Sequence, residues 1–151
     1  MHDYRDISRL MERTMHKYIQ LEKQPRAYGP GILLSQTEVH TIAIIGDKPG
    51  INVTELAKIR GVTKGAASQM VYKLVDKGYV KKEISANSDT EVSLSLTEMG
   101  QIPYQKHQEY HDETGTHFFN LLRDMPKENQ DYFIHLFEEF EKMIDEKLKE
   151  K

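Results

Sequence analysis

A mainly α chain with one small β-hairpin is what three features of the sequence predict. Residues 52–82 hold two short helical stretches separated by Gly61, Val62 and Thr63. The first offers Leu56, Ala57 and Ile59 for packing, and the second shows Ala67, Met70, Val71 and Leu74 on one face. Two strand-like runs follow at once, 79–85 and 91–96, the latter alternating Val92, Leu94 and Leu96 with polar residues around the turn-rich segment 86–90. Amphipathic helical repeats flank this block on both sides. That order is a winged helix-turn-helix with flanking N- and C-terminal helices. The 151 residues suffice for one domain and not for two typical ones.

The first helix covers 3–24, with Tyr4, Ile7, Met11, Tyr18 and Leu21 at helical spacing, and Pro25 with residues 27–31 is read as its break. The second helix opens at Ser35, where Glu38 completes a capping box, and continues through Val39, Ile42 and Ala43 to Gly46. Residues 47–50 form a turn. Gly61 ends the helix 54–60, Thr63 caps the helix 64–77, and Gly78 stops it. Thr97 caps a long helix running towards Met125, bent near its start by Pro103, and Pro126 sits in the first turn of the last helix. There Phe133, Leu136, Phe137, Phe140, Met143, Ile144 and Leu148 make a wide apolar stripe. Residues 35–97 are thus the winged lobe. Residues 1–34 and 98–151 are mainly dimerisation helices, because a winged core cannot cover all their apolar faces, so a homodimer is expected.

The formal net charge is −3, yet residues 48–82 carry eight basic side chains against two acidic ones, a local +6. A basic patch on an acidic body is the electrostatic footprint of nucleic-acid binding. Gly65 and Ala66 leave the start of the 64–77 helix nearly bare, so its free N–H groups can approach a phosphate or a base edge. Ser68 and Gln69 suit base edges, and Lys64 and Lys73 reach phosphates or guanine. Tyr72 shares their face. Double-stranded DNA is therefore the expected partner, with two recognition helices one DNA turn (~34 Å) apart reading a palindrome. A winged-helix module that binds protein instead is the alternative that the basic patch disfavours.

There are no cysteines, which excludes disulfides, thiolate metal sites and thiol redox sensing. No run approaches a membrane span and no apolar signal segment opens the chain, so a cytoplasmic protein is expected, with no membrane partner. No enzyme is expected either. G-x-S-x-G, P-loop and G-x-G-x-x-G motifs are missing, and His107-Gln108-Glu109-Tyr110-His111 lacks the glutamate that H-E-x-x-H zinc proteases place directly after the first His. No cofactor is required.

Ordered this way, the chain resembles the MarR family of winged-helix transcription regulators over nearly its whole length. The resemblance is most specific in VTELAKIRGVTKGAASQMVYKLVDKGYV, followed by SLSLTEMG. It implies that Thr63, Lys64, Gly65, Ala66, Ser68, Gln69 and Lys73 meet the major groove, and that Asn87, Ser88, Asp89 and Thr90 form the wing tip at the minor groove. The family's wing usually has an Asp followed by one or two Arg. This chain has Asp89-Thr90-Glu91, so Lys81 and Lys82 at the wing's base are assigned the phosphate contacts instead.

Seven histidines invite a metal reading. His107 and His111 are i, i+4 on the predicted fifth helix, on a face shared with Tyr104 and Phe118 and expected to point inward. His40 lies in the second helix and Glu22 ends the first. Two or three imidazoles with a carboxylate is a usual Zn²⁺ set, with Glu38 and Glu109 as further carboxylates. Zinc-responsive members of the MarR family are similar here, and the resemblance implies Glu22, His40, His107 and His111 as ligands. Packing histidines, or the lining of a pocket for a small aromatic or lipophilic ligand, are equally compatible with these positions. Zn²⁺ as a co-repressor and an organic inducer both remain open as effectors.

Overall fold

The computed structural model describes residues 3–85, 91–113 and 116–150, and for residues 111–113, 116 and 117 it describes only the helical backbone. It comprises two units, residues 1–109 and 110–151. Among the described residues no helix is long and apolar enough to cross a membrane.

The first unit is the predicted winged helix-turn-helix, preceded by α1 (Tyr4–Lys23) and a small hairpin, β1 (Pro25–Ala27) and β2 (Leu33–Ser35). The segment read as a simple break is thus structured. Pro25 pairs with Ser35 and Ala27 with Leu33, and the loop between them closes by Tyr28 N–H donating to Ile32 O at 2.9 Å. The reason is burial: Tyr28, Ile32 and Leu34 all enter the core. Next comes α2 (Gln36–Asp47), whose capping box is formed as expected. Glu38 N–H donates to the Ser35 hydroxyl at 3.2 Å, and Ser35 N–H donates to the Glu38 carboxylate at 2.8 Å.

α3 (Val53–Arg60) and α4 (Lys64–Asp76) follow. Gly61 between them takes φ +63°, the left-handed region where a side chain is strained, and that reversal lets Val62 N–H reach Ala57 O at 3.0 Å. Thr63 accepts from Ala66 N–H at 3.2 Å, which satisfies one orphan donor of α4. The predicted packing faces hold with one exception. Leu56, Ala57, Ala67, Val71 and Leu74 are buried and Met70 packs against the core, but Ile59 is exposed.

The wing pairs β3 (Val80–Ile84) with β4 (Val92–Leu96) in the register Val80–Leu96 to Ile84–Val92. Ile51 adds a third partner, its carbonyl accepting from Leu94 N–H at 2.8 Å. The core is one cluster gathered from every element of the lobe, with Leu34, Val39, Ile42, Ile45, Leu56, Val71, Leu74, Val80 and Leu94 essentially inaccessible. Burial on this scale stabilises by about 1.5–3 kcal/mol for each large apolar side chain. α1 contributes no buried residue.

One long helix was expected after Thr97. Its described parts are α5 (Glu98–Glu113) and α6 (Thr116–Arg123), and residues 114 and 115 between them lie outside the described residues. Pro103 is fully buried and α5 continues past it. In the second unit α6 leads to α7 (Lys127–Lys149), with Pro126 as the residue before its first turn rather than within it. The Gln130 side-chain amide lies 2.9–3.0 Å from the carbonyls of Leu122, Arg123 and Met125, closing the turn. Within this unit Phe118 is exposed, contrary to the inward face predicted for it, and α7 buries none of its apolar residues.

Candidate nucleic-acid interface

The two faces of α4 are sharply divided. Ala67, Val71 and Leu74 are locked into the core, which forces the remaining face outward. Thr63, Lys64, Gly65, Ala66, Ser68, Gln69 and Lys73 are all exposed, as is Tyr72, which the sequence reading placed on this face without a role. A β-carbon on Gly65 would meet nothing within 4 Å, so the first turn is open to a ligand. The helix begins with N–H groups that have no acceptor within it, the positive end of its dipole.

The charges of the basic stretch are less free than their count implied. Lys48 pairs with Glu55 at 3.3 Å and Lys81 with Glu83 at 2.9 Å. Lys73 and Lys77 both reach the Glu38 carboxylate, at 2.9 and 2.7 Å. Among the described residues Lys58, Arg60, Lys64 and Lys82 make no ion pair. Lys64 at the helix start and Lys82 in the wing are therefore the cations with the least internal competition. Lys81 and Lys82 are exposed on β3. The wing-tip positions Asn87, Ser88, Asp89 and Thr90 lie outside the described residues, and at the near side Asn52 donates to Glu91 at 2.5 Å.

Glu38 is the group the sequence reading missed in this site, having treated it as a helix cap and a spare metal carboxylate. It is 3 % exposed. Burial pushes its carboxyl upward, but the bonds from Lys77, from Ser35 N–H and from Lys73 outweigh that and hold it at about 2. Occupied by three donors, it is not available to a metal. Glu109, the other spare carboxylate, is taken by Lys106 at 2.6 Å. The Ser35–Glu38 spacing carried a signal for the cap. Nothing local marked the lysines, which lie on another helix.

Three of the four residues considered for zinc come together. Glu22 from the last turn of α1 lies 3.6 Å from His40 Nδ1 on α2, and the His40 and His107 rings are 5.1 Å apart. His107 is 7 % exposed and meets Tyr28 edge-on at 6.3 Å. Burial, then the charge and the hydrogen bond of Glu22, raise the Tyr18 hydroxyl above its ordinary value, against the opposing charge of Arg60. Glu22 and His40 lie within ion-pairing distance, and the two imidazole rings are in contact. Among the described residues no group of three or more His, Asp or Glu is set to hold a metal ion, and the His111 side chain lies outside them.

Comparison with known proteins places this architecture. The MarR family profile matches residues 34–91, from β2 to the start of β4. The HTH-type transcriptional regulator YhjH of Bacillus subtilis strain 168, itself uncharacterised, is 28% identical over 103 residues, 68% of this chain and 59% of that protein. The chain thus spans less than two thirds of this curated relative. Among solved structures, Lactococcus lactis ZitR in complex with DNA superposes with a TM-score of 0.70 at 19% identity, covering 93% of this chain and 99% of that one. Streptococcus pneumoniae FabT in complex with DNA gives 0.67 at 20% identity, over 95% and 99%. At such identities the structures speak for the fold. Residues 34–91 therefore match the MarR family, and they sit on the winged-helix fold that the chain shares with these regulators.

Proposed function

We propose that this protein is a sequence-specific, double-stranded-DNA-binding transcription regulator that acts as a homodimeric repressor on a palindromic operator. The observation that carries the reading is the outward face of α4. It is a capped, small-residue helix start that carries Lys64, which makes no ion pair among the described residues, with Ser68, Gln69 and Lys73 beyond it, while the opposite face is fixed in the core. Phosphates would meet the helix start and Lys64, and base edges would meet Ser68 and Gln69. Lys81 and Lys82 would take flanking phosphates from the wing. MarR-family transcription regulators are non-enzymatic DNA-binding proteins.

Two apolar surfaces support the dimer. On α1, Tyr4, Ile7 and Tyr18 are more than half exposed; on α7, so are Tyr132, Ile134 and Leu148. Exposed apolar faces of this extent mark an interaction surface, and a second copy covers them symmetrically.

The effector reading rests on Glu22, His40 and His107. Their donor chemistry, one carboxylate and two imidazoles, fits Zn²⁺ without sulfur, although their present contacts would have to open towards a metal. The zinc-responsive MarR family member ZitR of Lactococcus lactis shares the fold, with a TM-score of 0.64 at 17% identity. A bound ion would supply a fixed positive charge linking α1, α2 and α5. It would act by its differential affinity for the lobe orientation that binds DNA.

Fluorescence anisotropy on a duplex from upstream of the protein's own gene tests both levels, in chelator and then in buffered Zn²⁺, for wild type and His40→Ala/His107→Ala. Salt-sensitive binding supports the regulator. Tightening by zinc in wild type alone supports the metal effector. Binding that ignores zinc in both proteins discards the metal and leaves a small aromatic or lipophilic ligand. No binding to any duplex overturns the DNA reading in favour of a protein-interaction module.

A further inference from the structure

A helix cap does not need a carboxylate at Glu38. Glutamine serves a capping box equally well, because only one acceptor oxygen is required for the serine N–H. In this protein Oε2 takes Ser35 N–H, and Oε1 is given over to Lys73 of the recognition helix and to Lys77, its C-cap, at 2.9 and 2.7 Å. Lys73 lies in the last turn of α4 and Lys77 is its C-cap, i and i+4, one turn apart, where like charges repel. The carboxylate between them is buried, whereas the Lys73 side chain is 54% exposed and that of Lys77 35%. Each ammonium has three donors, so one bond to Glu38 leaves others for a phosphate.

We infer that Glu38 is a positioning residue for DNA recognition: it clamps Lys73 of α4 and Lys77 at its C-cap onto the start of α2 and lowers the charge of that cluster from +2 to +1. The clamp fixes the rotation of the recognition helix about its own axis. It also weakens the sequence-independent pull of phosphates, so that base contacts decide the register. Affinity for arbitrary DNA is reduced and discrimination is raised. This inference rests on the DNA-binding reading above.

The test is Glu38→Gln, which retains the cap. Binding is measured as a function of salt on a random-sequence 25-bp duplex and on a duplex selected by the wild type from a randomised library. Each phosphate neutralised contributes about 0.9 to the slope of log K against log salt. Glu38→Gln should therefore steepen the slope on the random duplex by about one unit and tighten binding there at low salt. It should also lower the ratio of selected to random affinity roughly tenfold, on the order of one lost base-pair discrimination. In Glu38→Gln/Lys77→Gln the cluster returns to +1, so the slope returns to the wild-type value while the ratio stays low.

An unchanged slope and ratio in a folded Glu38→Gln protein overturns the inference. So does uniform weakening on both duplexes with the ratio preserved, which is the signature of a purely structural residue. If circular dichroism shows the single variant unfolded, the double variant decides, and a wild-type ratio there overturns the inference. A wild type that binds neither duplex overturns the DNA reading itself.

Discussion

The ring of Tyr104 on α5 lies directly over Gly46 near the end of α2, so close that a β-carbon on Gly46 would come within 2.5 Å of two ring carbons. The Tyr104 hydroxyl then donates to Asp47 Oδ1 at 2.7 Å. That bond, followed by burial and by the charge of Asp47, holds the phenol above its ordinary value of 10.0. The glycine and the tyrosine together set how closely α5 approaches α2.

Gly46→Ala should therefore destabilise the protein. Overpacking of this kind costs about 1–3 kcal/mol, and urea unfolding monitored by circular dichroism reads it. Tyr104→Phe keeps the ring and loses only the hydrogen bond, so it should cost about 1 kcal/mol. Equal stability of Gly46→Ala and wild type would mean that the ring moves aside freely.

Acid should unfold the protein partly through Glu38. Its folded value of about 2 lies below the ordinary 4.5. The stabilisation is therefore complete above pH 4.5 and is lost as pH falls from there towards 2. Glu38→Gln should flatten the pH dependence of the unfolding midpoint in that window. A midpoint that falls as steeply in the variant would assign the acid sensitivity to other carboxylates.

Lys73→Ala should weaken binding to all DNA sequences and flatten the salt slope by about one unit. Gln69→Ala should relax preference at one base position, with a loss of about 1–3 kcal/mol of discrimination. A scan of operator variants separates the two. Identical preferences in wild type and Gln69→Ala would remove Gln69 from the readers.

On α7 the Phe133 and Phe137 rings lie 4.7 Å apart, tilted by 42°, and Phe137 is half exposed beside Leu136. Phe137→Asp places a charge on the face proposed for the second copy. Sedimentation should show monomers at concentrations where wild type is dimeric, with loss of operator binding. A dimer unchanged in mass would move the interface elsewhere.

What could be read before folding was local. The Ser35–Glu38 capping box, the Gly61 reversal and the Thr63 cap each join a side chain or a backbone dihedral to groups within a few residues. The outward face of α4 was legible for a related reason: helical periodicity alone separates Ala67, Val71 and Leu74 from Ser68, Gln69 and Lys73. The β1–β2 hairpin escaped notice because its strands are three residues each, and their pairing depends on Tyr28, Ile32 and Leu34 finding the core.

The sequence by itself determined the kinds of element, their order and the polarity of the recognition face, since propensity, capping and periodicity act over a few residues. Only the tertiary structure decided which charges those faces present. Lys77 meets Glu38 across 39 positions and Tyr104 meets Asp47 across 57. It likewise brought Glu22, His40 and His107 to one place from three helices. Such pairs arise from the packing of whole elements, and no pattern along the chain encodes the distance between side chains on different helices.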